Sequence, residues 1–199
     1  MLQSHTMYDG ETFGEEALHG ALLEGVACED CTFHGIEFNE MELRACCFRY
    51  CTFEDCTLRM ASIEASRFIG VQFERCNLIG IDWTRADWTT GIRIPLVFKA
   101  CSLNHATFFG MSLDGWTFQD CQAVDVDFRE ASLKKVIFKG TDLRESLFHH
   151  SDLRGADFCG SQNYQIAAHD NQLQGASFAL PEALSLLQHL GIHLLDDFE

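Results

Sequence analysis

Three groups of residues have types and spacings that suggest chemistry. The first is the cysteines, ten in all, with Cys28-x-x-Cys31 at the separation of a metal or redox pair and Cys46, Cys51 and Cys56 recurring every five residues. A structural metal site uses two such close pairs, or one pair with spaced histidines, and a recurrence of five matches neither template. The second is His149-His150, which reads as an exposed pair on the outer part of a repeat rather than a ligand set, with Cys159 also outward but separate. The third is the carboxylates, many of them spaced by five. Acid–base catalysis needs two carboxylates in a pocket, and spacing alone builds none. No phosphate-binding Gly-rich loop, dinucleotide turn, H-E-x-x-H or G-x-S-x-G segment is present. The chemistry-bearing residues therefore lead to a question of architecture: what recurs every five residues?

The five-residue register runs through almost the whole chain. Positions ending in 3 or 8 carry large apolar residues from Phe13 to Phe178, and fifteen of the seventeen phenylalanines fall there. Phe109 is out of register and Phe198 lies beyond the repeats, whereas chance would place about three of the seventeen in one register class. Two residues earlier, at positions ending in 1 or 6, the side chains are compact. Seven of the ten cysteines sit in this class, among them Cys46, Cys51, Cys56, Cys76, Cys101 and Cys121. Their number is thus explained by packing of a small hydrophobe. The other positions are mostly polar.

A period of five suits neither a helix of 3.6 residues per turn nor a two-residue strand. Both regular classes must still face one interior. A solenoid solves this: each five residues make one side, a corner follows, and coils stack at about 4.8 Å. Phe then stacks on Phe in ladders, which offset rings tolerate. The core ladder residues expected from this are Phe33, Phe53, Phe73, Phe48, Phe68, Phe108, Phe128 and Phe148.

The consensus A(D/N)Lxx, with copies at Thr141-Asp142-Leu143-Arg144-Glu145, Ser151-Asp152-Leu153-Arg154-Gly155 and Ala156-Asp157-Phe158, resembles the pentapeptide-repeat family. The resemblance implies an all-β fold, a right-handed quadrilateral β-helix of twenty residues per coil, here about eight coils and near 40 Å long. The expected organisation is an N-terminal cap or tail over 1–12, the β-helix over 13–180 with an interruption at 89–97, and a C-terminal helix and tail over 181–199. In the interruption, Arg93 and Pro95 suit no coil side, since Pro lacks the ladder N–H and Arg resists a dry core. The register resumes at Phe98 with no phase shift, so the segment either bulges from one face or loops at a corner. Trp83 and Trp88 look too large for inward sites, and together with Arg93 and Pro95 they form a candidate recognition loop. Leu180 to Gly191 reads as an α-helix, with Pro181 at its first position and Gly191 as its cap. Its apolar side chains, Leu180, Leu184, Leu186, Leu187, Leu190 and Ile192, would cap the open end of the solenoid and join two copies into a homodimer.

Thirty acids against fourteen bases give a net charge of −16. Direct nucleic-acid binding and anionic-membrane binding are excluded on that balance. No leader or membrane segment is legible, so the expected location is the cytoplasm, with reduced thiols, no cofactor and no catalysis. Residues 1–42 hold ten acids and no Lys or Arg, residues 43–135 eleven of each sign, and residues 136–199 nine acids and three bases. The resemblance extends to quinolone- and albicidin-resistance proteins that mimic duplex DNA and bind type II topoisomerases, DNA gyrase and topoisomerase IV. It implies the same partner here, with Asp142, Glu145, Asp152 and Asp157 as the binding acids. A duplex of about 40 Å carries roughly 24 charges. Against this stand the balanced middle third and the solubilising effect of any net charge. A scaffold with another protein partner is the alternative.

Overall fold

The computed structural model describes residues 1–18, 20–89, 93–188 and 190. Strands of two or three residues dominate the N-terminal half: β1 (Met7–Asp9), β2 (Thr12–Phe13), β3 (Leu22–Glu24), β4 (Ala27–Glu29), β5 (Thr32–His34), β6 (Glu42–Arg44), β7 (Cys47–Arg49), β8 (Thr52–Glu54), β9 (Arg67–Ile69), β10 (Gln72–Glu74), β11 (Val97–Lys99) and β12 (Thr117–Gln119). All pair in parallel, in the orders β1-β4-β7-β9, β2-β5-β8-β10-β11-β12 and β3-β6. The register step is one coil: Met7 lies beside Ala27, Ala27 beside Cys47, and Cys47 beside Arg67. Past Gln119 the sides shorten to single bridges, such as Gln122 with Asp142 and Asp152 with Gln172. The fold is a parallel β-solenoid with four inward columns, and β1 shows that winding begins ahead of the expected boundary at residue 13.

Most corners turn on a residue with positive φ. Twelve glycines adopt it, and so do eighteen other residues, of which all but Asn163 occupy positions ending in 0 or 5. An L-residue pays sterically for this conformation, so the repeat imposes it against local preference. Tyr50, Met60 and Lys135 accept φ between 53° and 56° because the stacked coils fix the corner on both sides.

The interior confirms the two classes and divides them. Phe13, Phe33, Phe53, Phe73, Phe98, Phe118, Phe138, Phe158 and Phe178 form one continuous stack, with ring centroids 4.5–5.4 Å apart and interplanar angles of 5–27°. The expected ladder residues lie in three columns, not one: Phe48 stacks on Phe68, and Phe108, Phe128 and Phe148 stack above Trp83. Rings of neighbouring columns meet edge to face, as Phe118 and Phe128 do at 5.9 Å.

The compact class hydrogen-bonds as well as fills space. The Ser66 hydroxyl accepts from the Cys46 N–H at 2.9 Å and donates to the Leu43 carbonyl at 2.7 Å. Thr141 and Ser146 repeat the bridge, donating to Phe118 at 2.9 Å and Ala123 at 2.6 Å. In the N-terminal half cysteines take this place, with Sγ 3.4 Å from the Leu23 carbonyl for Cys46 and 3.4 Å from that of Phe33 for Cys56. Cys56, Cys76, Cys101 and Cys121 occupy one column, and each thiol donates to carbonyls, as Cys76 does to Phe53 at 3.2 Å and Cys101 to Phe73 at 3.4 Å. The neighbouring Cys101 thiol pushes that of Cys76 up to about 12, and burial does the same for Cys51. Such thiols are poor nucleophiles.

Candidate interaction surfaces

At the interruption the coil lengthens by one repeat. Gln72 pairs with Val97 and Asn77 with Ser102, a step of 25 residues, whereas the preceding steps are of 20. The Gly70 N–H, which would otherwise reach a carbonyl 19 residues on, bonds instead to Ile94. The extra five residues of this coil therefore enter between Trp88 and Ile94. One whole repeat leaves the phase intact, which is why the register survives. Thr90, Gly91 and Ile92 lie outside the described residues.

The recognition-loop candidates separate on inspection. Trp83 is 1% exposed and sits inside the core, stacked 5.7 Å from Phe108, so its place on a recognition surface is corrected. The column accepts a Trp between the Leu and Ile of earlier coils and the Phe108, Phe128 and Phe148 of later ones, and no looped surface is needed to house it. Trp88 is half-buried and donates through Nε1 to the Trp83 carbonyl at 2.7 Å. Arg93 and Pro95 are exposed. Trp116, which the sequence reading passed over, packs 5.4 Å from Trp88. Its position belongs to the compact class, and a Trp in that class was the available signal.

The candidate acids also separate. Asp142 faces Arg144 at 3.2 Å and accepts from the Asn163 amide at 2.8 Å. Asp152 faces Arg154 at 2.6 Å and Lys134 at 3.3 Å, and the Arg154 bond pulls its carboxyl down to about 2. Arg129 holds Asp127 in the same i, i+2 geometry. Each pair is an Asp-x-Arg within one repeat, so the acidic consensus position carries its own counter-charge. Asp157 instead caps the Cys159 N–H at 2.8 Å, and Glu145 stands exposed at a corner. Neither has a base partner among the described residues.

The N-terminal acids differ. Asp9, Glu11, Glu15, Glu16, Asp30, Glu37 and Glu40 are all exposed, and among the described residues none has a basic partner. Glu24, Glu29 and Glu42 do, in His5, Arg49 and Arg44. Among the described residues, the unpartnered negative charge is thus densest before residue 42, away from the acids that the sequence favoured.

At the other end, Glu182–Leu184 form a 3-10 turn that runs into α1 (Ser185–Gln188), shorter than the expected helix. Leu186 packs on the core and Leu187 is half-buried. Leu180, Leu184 and Leu190 remain exposed at 77%, 45% and 50%. Ile192 lies outside the described residues. Just before this end Asn163 flips outward with φ 61° and Tyr164 takes the inward place, 1% exposed and 5.5 Å from Phe158.

The model of the pentapeptide repeat region matches residues 26–93 and 95–166. The chain belongs to the pentapeptide-repeat family. Among solved structures, this member of the family is similar to a trypsin-treated variant of QnrB1, a plasmid-mediated fluoroquinolone resistance protein, at 16% identity over 96% of this chain and 97% of that one, with a TM-score of 0.73. Full-length QnrB1 matches at 18% identity over 94% and 97%, TM-score 0.63. HetL, a pentapeptide repeat protein involved in heterocyst differentiation regulation from the cyanobacterium Nostoc, matches at 15% identity over 87% and 83%, TM-score 0.54. No curated protein sequence matches significantly. At these identities the likeness is one of fold. Among the described residues no helix is long and apolar enough to cross a membrane, and no group of three or more His, Cys, Asp or Glu is placed to hold a metal ion.

Proposed function

We propose that this pentapeptide-repeat protein is a non-catalytic binding protein of the cytoplasm that mimics duplex DNA, engages a type II topoisomerase, DNA gyrase or topoisomerase IV, and modulates it or protects it from poisons. One observation carries the reading: seven exposed acids without basic partners, set on a rigid coil within residues 1–42. Corners and outward positions hold these carboxylates at repeating backbone sites, so ordering them costs little on binding, and a basic DNA-binding groove is their electrostatic complement. The full-length likeness to a fluoroquinolone resistance protein supports the same reading. Two copies would join through Leu180, Leu184 and Leu190, placing the acidic N-terminal halves at the outer ends of a double-length rod.

The test is a gyrase supercoiling assay with and without a quinolone. The expected result is a change in drug sensitivity that fades with rising salt and is lost in Asp30→Lys/Glu37→Lys/Glu40→Lys. The matching Asp142→Lys/Asp152→Lys protein should lose less, since those acids already face arginines. The absence of any effect from a verified folded protein sinks the topoisomerase reading. A scaffold for another protein partner is the second reading. The Asp-x-Arg pairing favours it, because it removes anionic character from the half of the rod that carries the clearest repeats.

A further inference from the structure

Beside the extra repeat lies a notch unlike the rest of the surface. Phe68, Ile69, Trp88, Ile94 and Trp116 line it together with Ser112, the two bases Arg67 and Arg93 and the one acid Asp87. The two indole rings meet at 5.4 Å with a 57° tilt, which leaves an angular apolar wall. In a chain of net charge −16 most bases face acids, yet neither Arg67 nor Arg93 has an acidic partner among the described residues. The nearby acids are already engaged. Asp87 accepts from the Thr89 N–H and hydroxyl, and Asp114 accepts from the Ser132 hydroxyl and faces Lys134.

The notch holds about 30 Å³, far below the several hundred that a free small molecule fills. It suits the tip of one side chain. We propose that it seats one apolar residue of an acidic segment of a partner protein, with Arg67 and Arg93 taking the flanking carboxylates. Guanidinium groups bind carboxylates through paired N–H donors, and the apolar tip gains from leaving water against two indoles. This surface has the opposite sign to the N-terminal acids and does not depend on what they bind.

Two of the three tryptophans wall the notch, so emission from the full-length protein reports on it. The probe is a short Asp/Glu peptide with a central Phe, beside the same peptide with Ser at the centre and a Lys-rich peptide with Phe. The Asp/Glu–Phe peptide should change emission saturably with a Kd of about 100 µM or tighter, the Ser peptide roughly tenfold more weakly, and the Lys-rich peptide not at all. Arg67→Ala/Arg93→Ala should weaken binding about tenfold or more while melting like the parent, and Arg93→Ala alone gives an intermediate effect from an exposed side chain. Equal binding by the double variant, equal binding by the Lys-rich peptide, or silence up to about 1 mM overturns the proposal. So does a short oligonucleotide that moves emission as the peptide does, which would assign the arginines to phosphate. A chain ending at Leu190 whose emission shifts before any peptide is added, and which binds the probe more tightly, would assign the notch to the chain's own acidic tail instead.

Discussion

The two halves of the rod share one ladder of rings but are walled differently. Toward the N-terminus the compact class is rich in cysteine, most sides are short strands, and the seven exposed acids Asp9, Glu11, Glu15, Glu16, Asp30, Glu37 and Glu40 have no basic partner among the described residues. Past Gln119 the compact class turns mainly to hydroxyls at Thr141, Ser146, Ser151 and Ser161, the sides are single bridges, and Asp127, Asp142 and Asp152 are matched by arginines two residues on. The hydroxyls donate short bonds of 2.6–2.9 Å to carbonyls one coil below, where thiols reach only 3.2–3.5 Å. One backbone geometry therefore tolerates two chemistries. The thiol wall relies on burial, and the hydroxyl wall on hydrogen bonds that cannot be removed without orphaning a carbonyl.

The largest expected effect tests what the halves have in common. Phe53→Ala and Phe138→Ala each remove a fully buried ring from the shared stack, one in each half, and each should cost about 3–5 kcal/mol. Because a solenoid couples mainly to its nearest neighbours, amide-exchange protection should fall around the mutated coil and persist in the other half. Loss of protection along the whole rod from either variant would show a single cooperative unit and erase the distinction between the halves.

The next effect separates the walls. Ser146→Ala strips a donor from the Ala123 carbonyl and an acceptor from the Val126 N–H, both buried, and should destabilise by about 1–3 kcal/mol. Cys56→Ala removes a weak thiol donor and a little volume, and should cost about 1 kcal/mol. Urea midpoints compare the two directly. If the cysteine costs more than the serine, thiol packing, and not hydroxyl bonding, is the stronger wall.

Much of this was legible beforehand. A five-residue period admits one architecture, and Phe at positions ending in 3 or 8 names the interior without any knowledge of contacts. What escaped has physical causes. The interruption itself was legible at Arg93 and Pro95, but it adds one whole repeat and so leaves the phase intact, and its length shows only in pairings such as Gln72 with Val97 and Asn77 with Ser102. Trp116 was missed because its class predicts a compact residue, and the room for it lies beside the extra repeat. The acids were read as bare charges, although Asp142-Leu143-Arg144 and Asp152-Leu153-Arg154 print the neutralising arginine two places on, where side chains on the outer face meet. The leucines after Pro181 carry a helical stripe, yet among the described residues a 3-10 turn and the four residues of α1 are what form at the end of the coil.

The smallest predicted effect concerns that pairing, through pH. Asp152 is only 15% exposed at its side chain and is held by Arg154 and Lys134, and its carboxyl titrates near 2, against about 3.9 in an unfolded chain. A carboxyl depressed on folding contributes stability that is fully present above the unfolded value and is lost as pH falls through the folded one. Its contribution should therefore be intact at pH 5, fade between about 4 and 2, and be absent below. Asp152→Asn removes that contribution at every pH. The parent and variant should consequently differ in melting temperature at neutral pH and converge in acid, and NMR titration of the parent should place the carboxyl near 2. A constant difference between them down to the lowest pH would mean that the Arg154 bond does not set the titration. The C-terminal acids would then be as free as those of residues 1–42, and the contrast in charge between the two halves would fall.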